Sequence, residues 1–292
     1  MWEEKQKDSK VYEIKIRGLK GGHSGMDIIK QRANSNKLLG RILVNLSEVF
    51  ELKLVKVSGG SKTNAIPREA EAIIAISGEY IDKMHESINN LENIFKNEYK
   101  VSDENIQIMI EESQERWEKV FSKETTEKII SLLYLIPNGI NTMSNEISSL
   151  VESSTNLGVV ITTEDEVEFH SAIRSSIGSL KNDIALQTTV LARALGAEVF
   201  LQAGYPEWQY NASSKIRTIC EKVYKELTSK DAEIVAIHAG VECGLFKEKF
   251  GDMDMISFGP NLYDVHTPQE HMSISSVNNT WEFVKAVLKE IK

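Results

Sequence analysis

The stretch with the densest chemistry is "DVHTPQEHM", which brings Asp264, His266, Glu270 and His271 into one polar loop after the apolar run "DMISFG". Imidazole is the commonest zinc ligand, and a catalytic zinc needs about three protein ligands plus an open position. No HExxH or CxxC pair supplies the remainder, so a polar loop capping the last helix is the competing reading. A second candidate, "IHAGVECG", places His238, Gly240, Glu242, Cys243 and Gly244 at the end of another apolar run. A nucleophilic Cys243 would need a histidine partner in an electropositive setting, and nothing in the pattern turns His238 toward it. The alternative is a strand-to-helix turn with a small packed thiol.

Three further residues have the right chemistry without local partners. In "RGLKGGHSGMD" Gly21, Gly22 and Gly25 surround His23 where a strand gives way to a helix. That histidine could be a metal ligand, a proton carrier or an oxyanion donor. The Gly21–Gly25 run lacks the lysine of a phosphate-binding loop and the full GxGxxG pattern, and Ser24, His23 and Asp27 lack the spacing of a serine hydrolase elbow. Arg174, in "FHSAIRSS", ends an alternating strand and carries the planar fork that grips carboxylates, or else is a solvated strand-end charge. Asn64, in "GGSKTNAIP", lies where a loop must turn.

The elements that would position these residues follow from hydrophobic period. "VYEIKIRG" alternates as a half-buried strand, and Met26–Leu46 carries apolar residues at helical spacing. "FELKLVKVSGG", "EAEAIIAIS" and "ENIQIMIEE" read as strands, with a charged helix over Ile81–Tyr99 before the last of them. The order β-α-β-β-α-β is the ferredoxin-like unit. A similar, less complete half-unit follows. It has a helix over Glu124–Leu135, strands in "SSLVESSTNLGVVITT" and "EVEFHSAIRSS", a helix closed by Gly196, and a last strand "AEVFLQAG". Beyond it the pattern changes to α/β layering. A helix over Ser213–Thr228 precedes the buried strand "AEIVAIHAG", a short helix near Val241–Lys249, the strand "DMISFG" and a helix from Ser275. The expected architecture is therefore an α/β chain: an α+β domain of two half-units over residues 1–207, then a second domain over 208–292, with the boundary near Tyr205–Gln209.

Bulk properties exclude several classes. The chain has 292 residues, 41% hydrophobic and 26% charged, which is ordinary for a globular protein. A net charge of -9 and a pI near 5.4 argue against a nucleic-acid partner. Two cysteines cannot build a disulfide framework, no apolar run reaches bilayer length, and "MWEEKQKDSK" lacks the apolar core of a signal peptide. The expectation is a cytoplasmic protein without membrane partners.

Taken together, "GLKGGHSGMDI", "QRANSNK", "VSGGSKTNAIPREA", "SSTNLGVV", "SAIRSSI", "AGYPEWQYN", "IHAGVECGLF" and "VHTPQEHMSI" resemble the zinc dipeptidase superfamily that includes carnosinase. They resemble most closely its aminoacyl-histidine dipeptidases. The resemblance implies a catalytic domain with two zinc ions per site, interrupted by a lid domain that corresponds to the two half-units. It implies His266 as a metal ligand, and Arg174 as the lid residue that holds the substrate's terminal carboxylate. Asn64, Gly240 and Glu242 become substrate contacts. His23 becomes the donor that steadies the tetrahedral oxyanion, reaching into the partner subunit's site in a homodimer. In that family the other metal ligands and the general-base glutamate precede the lid, where this chain begins. The resemblance therefore implies the lid plus the C-terminal part of a dipeptidase, with an incomplete zinc site and no activity by itself. A non-catalytic lid or dimerisation module that complements a separate catalytic half is the alternative.

Overall fold

A computed structural model describes every residue except 148, 203, 205, 236–241, 252, 264–268 and 292. The chain divides into two compact units, one of Met1–Ala203 and the other of the described residues beyond it.

The first unit runs β1 (Trp2–Glu4), β2 (Ser9–Arg17), β3 (Gly22–His23), α1 (Ser35–Ser47), β4 (Leu52–Gly59), β5 (Ala65–Ile66), β6 (Ala70–Ser77), α2 (Ile81–Glu98) and β7 (Gln107–Glu112). It continues with β8 (Lys119–Phe121), α3 (Lys123–Leu135), β9 (Gly139–Met143), β10 (Val151–Thr162), β11 (Val167–Ser175) and α4 (Gly178–Ala194). Strands β4, β6, β2 and β7 lie side by side in that order, each pair antiparallel, which is the ferredoxin-like arrangement the alternation predicts. Period two sorts the side chains: Ala72, Ile74 and Ile76 of β6 face the main core with Ile14, Ile16 and the helices, while Ile73 and Ala75 face a smaller cluster with Val11, Val55 and Val120.

The second half-unit does not stand apart. Its strand β10 pairs with β4 through Val160↔Gly59 and Ile161↔Ser58, so β10 and β11 extend the first sheet into one continuous layer. On that same edge the start of β10 pairs with β9, over Val151 to Thr155. Between the two pairings, residues 156–159 are left without a strand partner on this side, and a bulge falls between Leu157 and Val159.

Several elements differ from the sequence reading. The helix expected over Met26–Leu46 begins only at Ser35. Ile28–Lys30 is a short 3-10 turn ended by Gln31 at φ 48°, and Asn34 then caps α1 by accepting from Asn36 N (3.0 Å) and Lys37 N (3.2 Å). Apolar spacing was continuous across this break, but a left-handed residue followed by an N-cap overrides it. The expected strand "AEVFLQAG" is irregular over residues 197–202, with Phe200 82% exposed. Its second half-unit thus closes on α4 rather than on a fourth strand.

The other unit contains α5 (Lys215–Thr228), α6 (Glu242–Phe250), β12 (Leu262–Tyr263), β13 (His271–Met272) and α7 (Ile274–Glu290). Helices α5 and α7 pack through Cys220, Val223 and Val287, flanked by Ile216, Ile219, Phe283 and Ala286. The buried strand expected at "AEIVAIHAG" is irregular over residues 232–235, with Val235 66% exposed; its remainder lies outside the described residues. "DMISFG" is likewise irregular. An apolar run becomes a strand only where a neighbour completes its ladder. Among the described residues this unit offers only the short β12–β13 pair. No helix among the described residues is long and apolar enough to cross a membrane.

Candidate functional site

The first unit gathers three of the predicted site residues. Gly22 and His23 form β3 and pair with Ile66 and Ala65 of β5, so the His23 turn and the Asn64 loop are joined by a two-residue ladder. Gly22 sits at φ 143°, and a Cβ there would lie 2.8 Å from both Arg32 and Asp27, which is why the turn needs glycine. His23 N donates to Asp27 Oδ2 at 2.8 Å. Asp27 is held below the usual carboxylate range first by its bond to Lys30 and also by that backbone N–H, against the opposing effect of burial. The carboxylate therefore holds the backbone of His23.

The imidazole itself is oriented by two backbone donors. Gly25 N (3.2 Å) and Met26 N (3.0 Å) both donate to Nδ1, which assigns the proton of the neutral ring to Nε2.

Ser24, 1% exposed, links the other two residues. Its N donates to Asn64 O at 2.9 Å, and its Oγ accepts from Arg174 Nε at 3.4 Å. Arg174 stands on β11 opposite Ser154 of β10. It is half-buried, burial alone lowers its pKa, and among the described residues it has no carboxylate partner. A partly desolvated guanidinium is able to take a carboxylate in a charge-assisted fork. Asn64 is exposed, and its side-chain amide has no hydrogen-bond partner among the described residues.

Sequence reasoning missed the residues that hold this group together. Ser24 was weighed only as a nucleophile. Asn156, in "SSTNLGVV", lies buried and donates from Nδ2 to Thr63 O (3.0 Å) and Ala65 O (2.8 Å). Asp103, fully buried, accepts from Lys20 N (2.7 Å) and Ala33 N (2.8 Å), closing both ends of the segment that carries His23. A buried asparagine or aspartate bound to backbone has no mark of its own in a single sequence. Its partners are 70 to 93 positions away.

The remaining candidates belong to the second unit. Glu242 is exposed in the first turn of α6. Burial first, and Glu242 next, raise the pKa of the Cys243 thiol, which disfavours the thiolate a nucleophile requires. His271 shares Nδ1 with Gln269 O at 2.8 Å and stacks on Tyr263, with ring centroids 5.0 Å apart. His266, Gly240, His238 and Asp264 lie outside the described residues. Among the described residues no group of three or more His, Cys, Asp or Glu side chains could hold a metal ion.

Comparison with known proteins gives a concordant picture. Residues 14–103 match the peptidase dimerisation domain of the M20 type. The chain is 37% identical over 281 residues to the cytosol non-specific dipeptidase of Escherichia coli K12, covering 96% of this chain and 58% of that protein. It superposes with a TM-score of 0.94 and 36% identity on the aminoacylhistidine dipeptidase of Vibrio alginolyticus, over all of this chain and 59% of that one. The chain therefore spans somewhat under two thirds of the length of these relatives.

Proposed function

We infer that this chain, a relative of the M20 dipeptidases in sequence and fold, forms the substrate-gripping lid and part of the catalytic domain of a metal-dependent dipeptidase. The observation that carries the reading is Arg174: a half-buried guanidinium with no carboxylate partner among the described residues, tied through Ser24 to the loops of Asn64 and His23.

In this reading the Arg174 fork binds the C-terminal carboxylate of a dipeptide, Xaa-His among the candidates, in two parallel charge-assisted bonds. The Asn64 amide, with Gly240 and Glu242, contacts the rest of the substrate. Gripping the terminal carboxylate limits the substrate to short peptides, since a longer chain would carry that charge out of reach. His23 donates from Nε2 to the oxygen that gains charge as the scissile carbonyl becomes tetrahedral, and it does so in the partner subunit of a homodimer. Zinc, two ions per site in the family the chain resembles, would draw His266 from this chain. The described residues do not fit an ion by themselves, so no step of this chain is routed through one. The domain division at residues 207 and 208 and a cytoplasmic location belong to the same proposal.

The test uses the chain as it is. Titration with glycyl-L-histidine, followed by calorimetry with and without zinc, is expected to show saturable binding that Arg174→Met abolishes, with no hydrolysis. Robust hydrolysis by the chain alone would refute the incomplete catalytic site. Absence of any binding, together with a stable dimer by light scattering, would favour the non-catalytic module instead.

A further inference from the structure

The resemblance leaves "SSTNLGVV" without a role, yet the fold builds a specific arrangement around it. Residues 156–159 of β10 lack a strand partner on the β4 side. There Leu157 N donates to Asn138 Oδ1 (2.9 Å) and Leu157 O accepts from Asn34 and Asn36 Nδ2 (3.1 Å each), while the loop carrying Asn64 packs closely on Asn156 and Gly158. Two glycines let it in. Gly60 has φ 71°, and a Cβ on it would lie 1.8 Å from Gly158 O; a Cβ on Gly158 would lie 2.6 Å from Thr63 Cα.

Into this close approach Asn156 projects a side-chain amide with 1% residue exposure. Its Nδ2 donates to Thr63 O (3.0 Å) and Ala65 O (2.8 Å), and its Oδ1 accepts from Asn34 Nδ2 (3.3 Å). The intervening carbonyl, Asn64 O, accepts from Ser24 N at 2.9 Å. Three consecutive carbonyls are thus held in turn, two by Asn156 and one by Ser24. The peptide planes on both sides of the Asn64 Cα are fixed, and with them the direction of its Cα–Cβ bond. The two carbonyls set the amide orientation, and Asn34 Nδ2, which also donates to Leu157 O at 3.1 Å, agrees with it. Carbonyls only accept, so Nδ2 must face them, while Asn34 supplies the donor for Oδ1. Asn34 is anchored in its turn as the cap of α1, and it also donates to Asn138 Oδ1 at 2.9 Å.

We propose that Asn156 is a positioning residue for Asn64: its buried amide pins the carbonyls flanking Asn64 and so aims the Asn64 side chain at the substrate. The consequence for dipeptide binding rests on the reading of Asn64 given above; the pinning does not.

Amide hydrogen exchange on the full chain tests it through the N–H groups of Ser24 and Ala65, which bond Asn64 O and Lys62 O. Asn156→Asp keeps the shape but sets an anionic oxygen against two carbonyls. Near pH 8.5, where such a carboxyl is ionised even when burial raises its pKa, exchange at Ser24 and Ala65 is expected to rise about tenfold. Exchange at the core residues Ile14 and Ile74 should stay within about twofold. Near pH 5 the protonated carboxyl can donate one hydrogen bond, and protection, corrected for intrinsic rates, should return in part. Asn156→Ser, too short to span both carbonyls, should lose protection at both pH values. Unchanged exchange in the Asp variant overturns the proposal. If the Asp variant loosens Ile14 and Ile74 as well, the Ser variant decides: a rise confined to Ser24 and Ala65 supports the pinning, and a uniform rise overturns it. Asn64→Ala leaves all these backbone bonds in place. If it leaves glycyl-L-histidine affinity unchanged, the substrate role of Asn64 fails while the pinning stands.

Discussion

Replacing Arg174 by methionine should stabilise the unliganded chain while destroying its capacity to bind a carboxylate. Methionine keeps the length and apolar stem of arginine and removes the charge. Taking an ion out of water costs several kcal/mol when it is fully buried. Arg174 is half-buried, so relief of about 2 kcal/mol is a reasonable share. Against this stands the loss of one hydrogen bond to Ser24, at 3.4 Å a long one, which leaves a hydroxyl with 1% residue exposure short of a donor. That loss amounts to about 1 kcal/mol. The balance is a gain near 1 kcal/mol, or roughly 2–4 °C in the Tm of the unit that holds Arg174. Scanning calorimetry reads it directly. Adding Ser24→Ala should remove the orphaned hydroxyl and raise Tm further. Glycyl-L-histidine at about 100 times its Kd should stabilise the wild-type chain by about 2.7 kcal/mol and leave the Arg174→Met variant unmoved. A variant that melts more than about 4 °C lower would show that Arg174 is a structural cation and not an anion site.

Three other outcomes follow from the same geometry. In a form of the protein that hydrolyses dipeptides, His23→Ala should lower kcat on the order of 10²–10³ with KM little changed; an effect confined to KM removes His23 from the oxyanion role. Gly60→Ala combines a left-handed φ with a Cβ 1.8 Å from Gly158 O and should cost at least ~2 kcal/mol. Its signature is faster tryptic cleavage after the exposed Lys62, and an unchanged digestion pattern would refute it. Lys37 donates to Leu133 O, Tyr134 O and Ile136 O at 2.6–2.8 Å, and burial pushes its ammonium down to about 8 from 10.5. Between those values the folded chain binds fewer protons than the unfolded one, so stability rises with pH across that window, by about 3 kcal/mol at most. Lys37→Met should flatten the rise in urea melts; an unaltered slope rejects the assignment.

Local sequence determined much of this protein. Apolar runs bounded by turn residues placed β2, β4, β6, β7, β10 and β11, with period-two alternation clear in β2 and β11. The order of strands and helices is enough to name the ferredoxin-like arrangement. Glycine spacing, and the types of His23, Asn64 and Arg174, marked the positions where chemistry is available. Short-range signals failed where a stronger local feature overrode them, as at the Gln31 and Asn34 break before α1, and where an apolar run has no ladder partner among the described residues, as over residues 232–235. What only the tertiary structure decided is the convergence. Ser24 meets Arg174 across 150 positions, and Asn156 meets Thr63 and Ala65 across 93 and 91. Asp103 closes the His23 segment from a loop 70 or more positions further on. Such bonds join backbone groups to small polar side chains at long range. Their energy depends on burial and alignment, which exist only once the sheet has brought β10 and β11 alongside β4.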